Sequence, residues 1–264
     1  MNLFRRFQTS DKKDNRDIKQ SFEIEENKRL TTKTWSLRLK GDVSEITKAG
    51  QFVNISIPGK YLRRPISVSR YFTREKELNL LYNVVGEGTA LLSEMKAGSV
   101  LDLLIGLGNG FSIPSDISHP VLLGGGIGAA PLLQLAFDLM ENGVKPQVIL
   151  GYNTAKDSWG MEKELRDSGI VCYVSTVDGS AGVKGFVTDV IEEKNIKYDY
   201  FYACGPLPML RSLSSLPVEG QLSLECRMGC GFGACMCCSL ETTKGMKRIC
   251  KEGPVFKKSE LIWK

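Results

Sequence analysis

The sequence predicts a multidomain β plus α/β fold, with an antiparallel β-barrel, a parallel α/β domain and a small cysteine-rich domain at the C-terminus. Three observations predict it. Short β-rich stretches follow one another at hairpin spacing between residues 21 and 113. Strand-like and helical stretches alternate from residue 114 to 225, as in a parallel sheet covered by helices. Six of the eight cysteines then crowd between Cys226 and Cys250, inside the predicted third domain at residues 226–264.

The first domain is predicted to be an antiparallel barrel or sandwich, because turn residues interrupt its apolar stretches at short intervals. Its expected strands cover residues 22–25, 34–39, 51–57, 66–71, 78–85 and 99–104, and a helix is expected over residues 90–95. The second domain has expected strands at residues 121–123, 147–150, 171–175, 200–203 and 221–225, with helices at residues 132–142 and 161–168. The third domain has little apolar periodicity, so we expect something other than a core of its own to hold it together.

Charge and hydropathy exclude several classes of protein. Residues 1–20 carry +3 of the total charge of +5, which predicts a solvated, disordered tail and leaves a nearly neutral body. A nearly neutral body argues against nucleic acid as a partner. The longest apolar run, residues 121–137, is shorter than the roughly 20 residues that span a bilayer, so we expect no membrane segment. Clustered cysteines without a secretory signal predict a cytoplasmic location.

The cysteine spacing predicts a [2Fe–2S] cluster. Cys230, Cys235 and Cys238 follow the pattern C-x4-C-x2-C, and Cys250 comes eleven residues later, which is the plant-type ferredoxin arrangement. Glycines between the first two cysteines permit a tight loop whose backbone N–H groups point at the sulfurs. Structural zinc and inert buried thiols are the alternatives, although zinc sites usually consist of two short cysteine pairs separated by a longer stretch.

Four cysteines lie outside this pattern, and one of them, Cys204, belongs to a turn described below. Cys226 and Cys237 flank the expected ligands but do not fit their spacing, so we interpret them as bystanders or as neighbours of the ligands. Cys172 lies in an expected core strand and is interpreted as a small apolar residue.

Two turns in the second domain predict a dinucleotide site. The glycine-rich run Gly124, Gly125, Gly126, Ile127, Gly128 follows an expected strand and opens a helix, which lets a pyrophosphate approach the free N–H groups. The run Cys204, Gly205, Pro206 ends a second strand of the same sheet. Ligands of open α/β sheets bind at such strand ends.

The first domain contains a second candidate for pyrophosphate binding. Arg64 opens the stretch Arg64, Pro65, Ile66, Ser67 at an expected strand start, and Gly88 with Thr89 precedes the expected helix. An arginine beside a glycine-rich helix opening is a plausible cradle for phosphate. The alternative is a solvated surface arginine.

Taken in order, these motifs resemble the ferredoxin–NADP reductase superfamily, and within it the electron-transfer subunits of dihydroorotate dehydrogenase B. The resemblance covers residues 21–256, and its most specific parts are residues 224–235 and 250–256. It implies that FAD contacts the following residues: Arg64, Pro65, Ile66, Ser67, Leu81, Tyr82, Asn83, Gly88 and Thr89. It also implies that NAD contacts Gly124, Gly125, Gly126, Gly128, Cys204, Gly205 and Pro206, and that the cluster ligands are Cys230, Cys235, Cys238 and Cys250. Two residues depart from the family pattern, since Asn83 replaces an expected arginine and Cys226 an expected serine.

The resemblance further implies a partner and an electron path. Dihydroorotate would reduce FMN on a separate catalytic subunit, in a 2+2 heterotetramer, and electrons would pass through the cluster and FAD to NAD⁺ in pyrimidine biosynthesis. The only histidine, His119, lies in an expected linker, so we expect this chain to lack a base for substrate oxidation. The alternatives are a sibling iron–sulfur NAD(P)H reductase serving a hydrogenase or transhydrogenase, and a zinc-stabilised nucleotide-binding module without redox activity.

Overall fold

The structure, a computed structural model, describes residues 18–263. Residues 1–17 of the predicted tail lie outside the described residues. The first domain is a closed barrel of six antiparallel strands in the order β1-β2-β5-β4-β3-β6. Its elements are β1 (Lys19–Arg29), β2 (Thr34–Lys40), β3 (Phe52–Ile55), β4 (Arg64–Phe72), β5 (Glu77–Asn83), α1 (Glu87–Glu94) and β6 (Val100–Leu107).

Alternation of apolar and polar residues closes the barrel around its core. Along β5, Leu78, Leu80 and Tyr82 are buried inside the barrel, while the residues between them lie on the outer face. The predicted antiparallel barrel is therefore confirmed. Strand β1 begins at Lys19, two residues before the expected start of the domain, because its first residues pair with β6.

The second domain is a mostly parallel sheet with helices on it. Its elements are β7 (Pro120–Gly125), α2 (Ala130–Glu141), β8 (Gln147–Tyr152), α3 (Met161–Asp167), β9 (Val171–Thr176), β10 (Val183–Lys184), α4 (Val187–Glu193), β11 (Tyr200–Cys204), α5 (Leu207–Leu213) and β12 (Gly220–Ser223). The sheet order is β10-β9-β8-β7-β11-β12, so the direction of winding reverses between β7 and β11. Such a reversal opens a crevice at the carboxyl ends of the two strands.

The C-terminal segment packs on the α/β domain. It contains a hairpin of β13 (Ser239–Thr242) and β14 (Gly245–Arg248), followed by β15 (Val255–Lys257), which pairs antiparallel with β12 and extends the sheet to seven strands. Apolar side chains of this segment, including Ile249 and Phe256, join the core beneath β11 and β12. Apolar packing therefore contributes to holding the segment, which its sequence did not lead us to expect. The sheet also crosses the boundary expected at residue 226.

The barrel and the α/β domain meet along β4 and α2. The Arg70 guanidinium lies 3.8 Å from the ring centre of Phe137 in α2 and ion-pairs with Glu164 of α3 at 3.0 Å. A cation over an aromatic face is favoured when both are partly desolvated. These contacts fix the crevice of the α/β domain relative to the barrel. Within residues 18–263, no helix has the length and apolar character needed to cross a membrane.

Candidate electron-transfer centre

Backbone N–H groups converge on the sulfurs of the first cysteine pair. The Sγ atom of Cys230 accepts hydrogen bonds from the N–H groups of Ala234 at 3.2 Å and Cys235 at 3.4 Å. The Sγ atom of Cys235 accepts in turn from the N–H of Cys230 at 3.4 Å. This is the loop geometry that the glycine-rich spacing predicts, with amide dipoles directed at the sulfurs.

The Cys230 thiol is biased toward the thiolate. Burial acts to raise its pKa, but the backbone N–H groups of Cys235, Phe232 and Ala234 and the neighbouring Cys235 thiol outweigh burial and lower the pKa to about 6. The thiolate is the form that binds metal, so this side chain is prepared for ligation at neutral pH.

The second cysteine pair lies beside the first. The N–H of Cys250 donates to the Sγ of Cys238 at 3.4 Å, and both side chains are buried. Burial, followed by the nearby Cys238 and Cys230 thiols, raises the pKa of Cys250 to about 12. Residues 18–263 contain no group of three His, Cys, Asp or Glu side chains close enough to hold a single metal ion. The hydrogen bonds at the sulfurs group the four candidate ligands as two pairs, Cys230 with Cys235 and Cys238 with Cys250. Each iron of a [2Fe–2S] cluster takes two thiolates.

The backbone conformation of the cysteine loop depends on glycine. Gly231 has a φ of +81° and Gly233 a φ of +92°, in the left-handed region that L side chains rarely adopt. The carbonyl of Gly233 accepts a hydrogen bond from the Arg248 guanidinium at 2.6 Å, and Arg248 also ion-pairs with Glu252. The hydrogen bonds from Arg248 hold the pKa of Glu252 at about 2, so the pair remains charged. Sequence analysis missed Arg248, because neither its spacing nor its residue type marks it.

The remaining cysteines occupy three different environments. Cys226 is partly buried beside Cys238, and burial, followed by the neighbouring Cys238 and Cys237 thiols, raises its pKa to about 11. Cys237 is exposed, and Cys172 is buried in the core of the α/β domain. These placements agree with the interpretation of Cys226 as a neighbour of the ligands and of Cys172 as a core residue.

The structure brings Arg64 and Gly88 together. A Cβ atom at Gly88 would lie 2.6 Å from both Cζ and Nη2 of Arg64, so a side chain at this position would displace the guanidinium. The guanidinium therefore lies at the N-terminus of α1, where free N–H groups also favour an anion. Arg64 also donates to the carbonyl of Leu62, which holds the side chain in this position. Pro65, Ile66 and Ser67 continue along β4 and are half-buried.

The other residues that were expected to contact FAD lie in different environments. Leu81 and Asn83 lie on the outer face of β5, and Asn83 accepts a hydrogen bond from the Thr34 hydroxyl at 2.8 Å. The Tyr82 ring points into the barrel core, where its hydroxyl donates to Asn27, so only its backbone remains for a ligand. The Thr89 hydroxyl accepts from the N–H groups of Val85 and Gly86 at 2.9 and 3.3 Å and thereby shapes the turn before α1.

The two expected nucleotide turns lie against each other at the crevice between β7 and β11. Cys204 is paired with Gly124 in the sheet register. A Cβ atom at Gly128 would lie 2.7 Å from the Cα and 2.8 Å from the N of Gly205, and one at Gly125 would lie 2.8 Å from the Pro206 ring. The glycines therefore permit contact of backbone on backbone and leave the turn open for a pyrophosphate.

Comparison with known proteins identifies the family. Residues 225–262 match the family model described as the iron–sulfur cluster binding domain of dihydroorotate dehydrogenase B. A curated relative from Fusobacterium nucleatum, the electron transfer subunit of dihydroorotate dehydrogenase B (NAD(+)), is 41% identical over 90% of this chain and 96% of its own length. The chain belongs to the family of dihydroorotate dehydrogenase B electron transfer subunits. The family resemblance that the motifs predicted, and the iron–sulfur domain at the C-terminus, are thereby confirmed.

Other relatives extend this comparison. The dihydroorotate dehydrogenase B electron transfer subunit of a Geobacillus species is 42% identical over 89% of this chain and 95% of its own. A solved NADH-dependent reduced ferredoxin–NADP oxidoreductase, studied for flavin-based electron bifurcation, is 31% identical with a TM-score of 0.83, covering 92% of this chain and 90% of that one. A ferredoxin NADP⁺ reductase from Neisseria gonorrhoeae, solved with FAD and NADP, shares the fold at a TM-score of 0.62 and 19% identity.

NADH is expected to be preferred over NADPH. The first arginine after β8 is Arg166, and its guanidinium already donates to the carbonyl of Cys172 at 2.9 and 3.2 Å. That leaves Lys156, in the short turn after β8, as the cation that follows the strand end most closely in the sequence. Loss of a charge-assisted contact to a 2′-phosphate is worth about 1.5–3 kcal/mol, so kcat/KM for NADH in dye reduction should exceed that for NADPH by roughly ten- to a hundredfold.

Lysine variants test the one residue that weakens this expectation. Lys156→Ala should lower the residual NADPH activity and leave NADH activity unchanged, whereas Lys163→Ala, on the exposed face of α3, should change neither. A wild-type preference for NADPH would contradict the expectation.

Proposed function

We propose that this chain transfers electrons between NAD(H) and the FMN of a separate dihydroorotate dehydrogenase catalytic subunit, through its own FAD and [2Fe–2S] cluster, in a cytoplasmic 2+2 heterotetramer. The observation that carries the proposal is the C-terminal segment. Residues 225–262 match the cluster domain of this family, and their four expected ligands form two adjacent cysteine pairs. Cys230, Cys235, Cys238 and Cys250 are the proposed iron ligands.

Two further sites are proposed to bind the two nucleotides. Arg64, with Gly88 and the N-terminus of α1, is proposed to hold the FAD pyrophosphate on the barrel. The glycine turn after β7 and the turn at Gly205 are proposed to hold NAD at the crevice. When bound, FAD converts between two-electron hydride transfer and one-electron transfer, and the cluster carries one electron at a time.

Substrate oxidation is assigned to the partner. The single histidine of the sequence, His119, lies immediately before β7, whereas the glycine turn lies at the other end of this strand. Its backbone N–H donates to the carboxylate of Asp199 at 3.0 Å. A base for proton abstraction must lie within hydrogen-bond reach of its substrate, which this position does not provide.

The surface around the cysteine loop supports docking of a protein there. Phe232 is 47% exposed and Met236 is 53% exposed, and both lie within the loop that carries the first three cysteines. Met246, on the turn side of the β13–β14 hairpin, is also exposed. Exposed apolar side chains within one loop, such as Phe232 and Met236, are typical of protein interaction sites. A partner bound here would lie next to the cluster.

Reconstitution tests the proposal. The isolated chain should reduce artificial dyes with NADH but should not oxidise dihydroorotate. Addition of an FMN-containing dihydroorotate dehydrogenase catalytic subunit should produce dihydroorotate:NAD⁺ activity and a complex in size-exclusion chromatography. Phe232→Ser should weaken the complex, and so should Arg227→Glu, which reverses a charge just before the cysteine loop. Val171→Ser, which changes an exposed apolar residue on β9, should have no effect. Failure to form a complex or to oxidise dihydroorotate would contradict the proposal.

The second candidate function is that of a sibling reductase. The NADH-dependent reduced ferredoxin–NADP oxidoreductase structure matches over 92% of this chain, so this fold also occurs in an enzyme of different function. Copurification with a hydrogenase or a transhydrogenase-type flavoprotein, together with no dihydroorotate activity, would favour this alternative.

A further inference from the structure

One side chain of the flavin barrel reaches the cysteine loop directly. Asn54, in β3, is 1% exposed, and its Nδ2 donates to the backbone carbonyl of Cys230 at 3.1 Å. The two residues are 176 positions apart in the chain. The carbonyl belongs to the first candidate ligand of the cluster. The hydrogen bond therefore connects the barrel to the residue that is proposed to bind iron.

Steric contact strengthens this connection. A Cβ atom at Gly231 would lie 2.5 Å from Nδ2 of Asn54, which means that the amide packs directly on the turn after Cys230. Gly231 also has a φ of +81°, a backbone conformation that any residue with a side chain adopts only with strain. The amide thus fixes both the position and the direction of the Cys230 backbone.

Strand β3 is itself held firmly beside the flavin strand. Asn54 is paired with Pro65 in β4, one residue from Arg64, and β3 is paired with β6 on its other side. The Arg63 guanidinium donates to the carbonyls of Asn54 at 3.3 Å and Asp102 at 3.0 Å, and it ion-pairs with the Asp102 carboxylate at 2.8 Å. Asn54 therefore projects from a rigid part of the barrel.

We propose that Asn54 is a positioning residue that fixes the Cys230 loop against the flavin-binding barrel and thereby sets the rate of electron transfer between cluster and flavin. The inference rests on the proposed function of the chain. Asn54 touches neither cofactor in the role assigned here, and it acts through Cys230. Its loss lets the loop shift relative to β4 and changes the orientation of the N–H groups that bind the Cys230 sulfur.

A second attachment keeps the segment docked when Asn54 is altered. The backbone N–H of Asn109 donates to the carbonyl of Gly253 at 2.8 Å, and its side-chain amide donates to the carbonyl of Glu252 at 2.6 Å. Pairing of β15 with β12 adds further contacts. We therefore expect Asn54→Ala to fold and to retain its cluster.

The first experiment separates two electron-transfer steps in the chain loaded with FAD and cluster. NADH is mixed with the protein, flavin reduction is followed by stopped-flow absorption, and cluster reduction is followed by freeze-quench EPR. Asn54→Ala should leave flavin reduction unchanged and slow cluster reduction severalfold, because the rate of electron transfer falls as the distance between the two cofactors grows. The EPR line shape and the midpoint potential of the cluster should also change, because both respond to hydrogen bonds at the sulfurs.

The matched control is Asn79→Ala. Asn79 is also an asparagine on a barrel strand with a buried side-chain oxygen that lacks a hydrogen-bond partner, but it lies on β5 rather than on β3. It should change neither step. Equal rates of cluster reduction in Asn54→Ala and Asn79→Ala, or equal slowing of both steps in Asn54→Ala, would overturn the inference. Absence of cluster reduction by NADH in the wild-type chain would instead contradict the proposed function.

A second experiment tests the contact without measuring electron transfer. Gly231→Ala should lower the thermal stability of the cluster, because the new methyl group meets Asn54. Bleaching of the visible absorption on heating measures this stability. The double variant Asn54→Ala/Gly231→Ala should regain part of that stability. Gly233→Ala should not be rescued by Asn54→Ala, because a Cβ there meets Lys251 at 2.7 Å instead. Equal rescue of both glycine variants, or rescue of neither, would show that Asn54 does not hold this turn.

Discussion

Replacement of Cys230, Cys235, Cys238 or Cys250 by serine is expected to abolish the cluster. The wild-type protein should contain about two irons and two acid-labile sulfides per chain, with the visible absorption of a [2Fe–2S] centre. Each serine variant removes one of the four thiolates and leaves an iron with an incomplete ligand set. Iron and sulfide content should fall severalfold and the visible bands should bleach. NADH reduction of bound flavin should persist, since the proposed flavin site lies on the barrel.

The other cysteines provide controls in the same segment. Cys237→Ser changes an exposed thiol and should leave iron content and spectrum unchanged. Cys226→Ser changes a thiol beside Cys238 and should retain the cluster, although its potential should shift because the neighbour of a ligand is altered. Loss of the cluster in Cys226→Ser or Cys237→Ser, together with retention in Cys235→Ser, would refute the ligand assignment.

Arg64→Ala is expected to weaken FAD binding by roughly ten- to a hundredfold, the loss of about 1.5–3 kcal/mol that a charge-assisted hydrogen bond provides. The physical reason is the position of the guanidinium at Gly88, where it adds a full charge to the N-terminus of α1. Gly88→Ala should have a similar effect without removing the charge, because its methyl group would occupy the space of the Arg64 guanidinium. Titration of the flavin-free chain with FAD measures both affinities.

Arg38 provides the control for this prediction. It is a barrel arginine on β2 that ion-pairs with Glu25 on the surface at 3.3 Å. Arg38→Ala should leave the FAD dissociation constant unchanged. An Arg64→Ala variant that binds FAD as tightly as the wild type would remove Arg64 from the site, and the barrel contact would then have to come from backbone groups alone.

The sequence by itself determined the features that are encoded over short distances along the chain. Alternating apolar residues specified the barrel strands, and glycine-rich runs after apolar strands predicted the two turns of the candidate nucleotide site, because each pattern follows from the geometry of one local element. The spacing of the cysteines from Cys230 to Cys250 likewise predicted a cluster domain, since a tight loop brings neighbouring ligands together. The family resemblance followed from the order of these motifs.

Only the tertiary structure decided how these elements meet. The pairing of β15 with β12 gave the C-terminal segment apolar support that its own sequence pattern does not show. Buried and partly exposed residues alternate along β5, and this alternation places the Tyr82 side chain in the barrel core. A site assigned from the position of a motif does not distinguish Tyr82 from its neighbours Leu81 and Asn83, which face outward. The contacts of Arg64 with Gly88 and of Asn54 with Cys230 join residues far apart in sequence. Such contacts depend on strand order and register, so they are determined only by the closed barrel and the complete sheet.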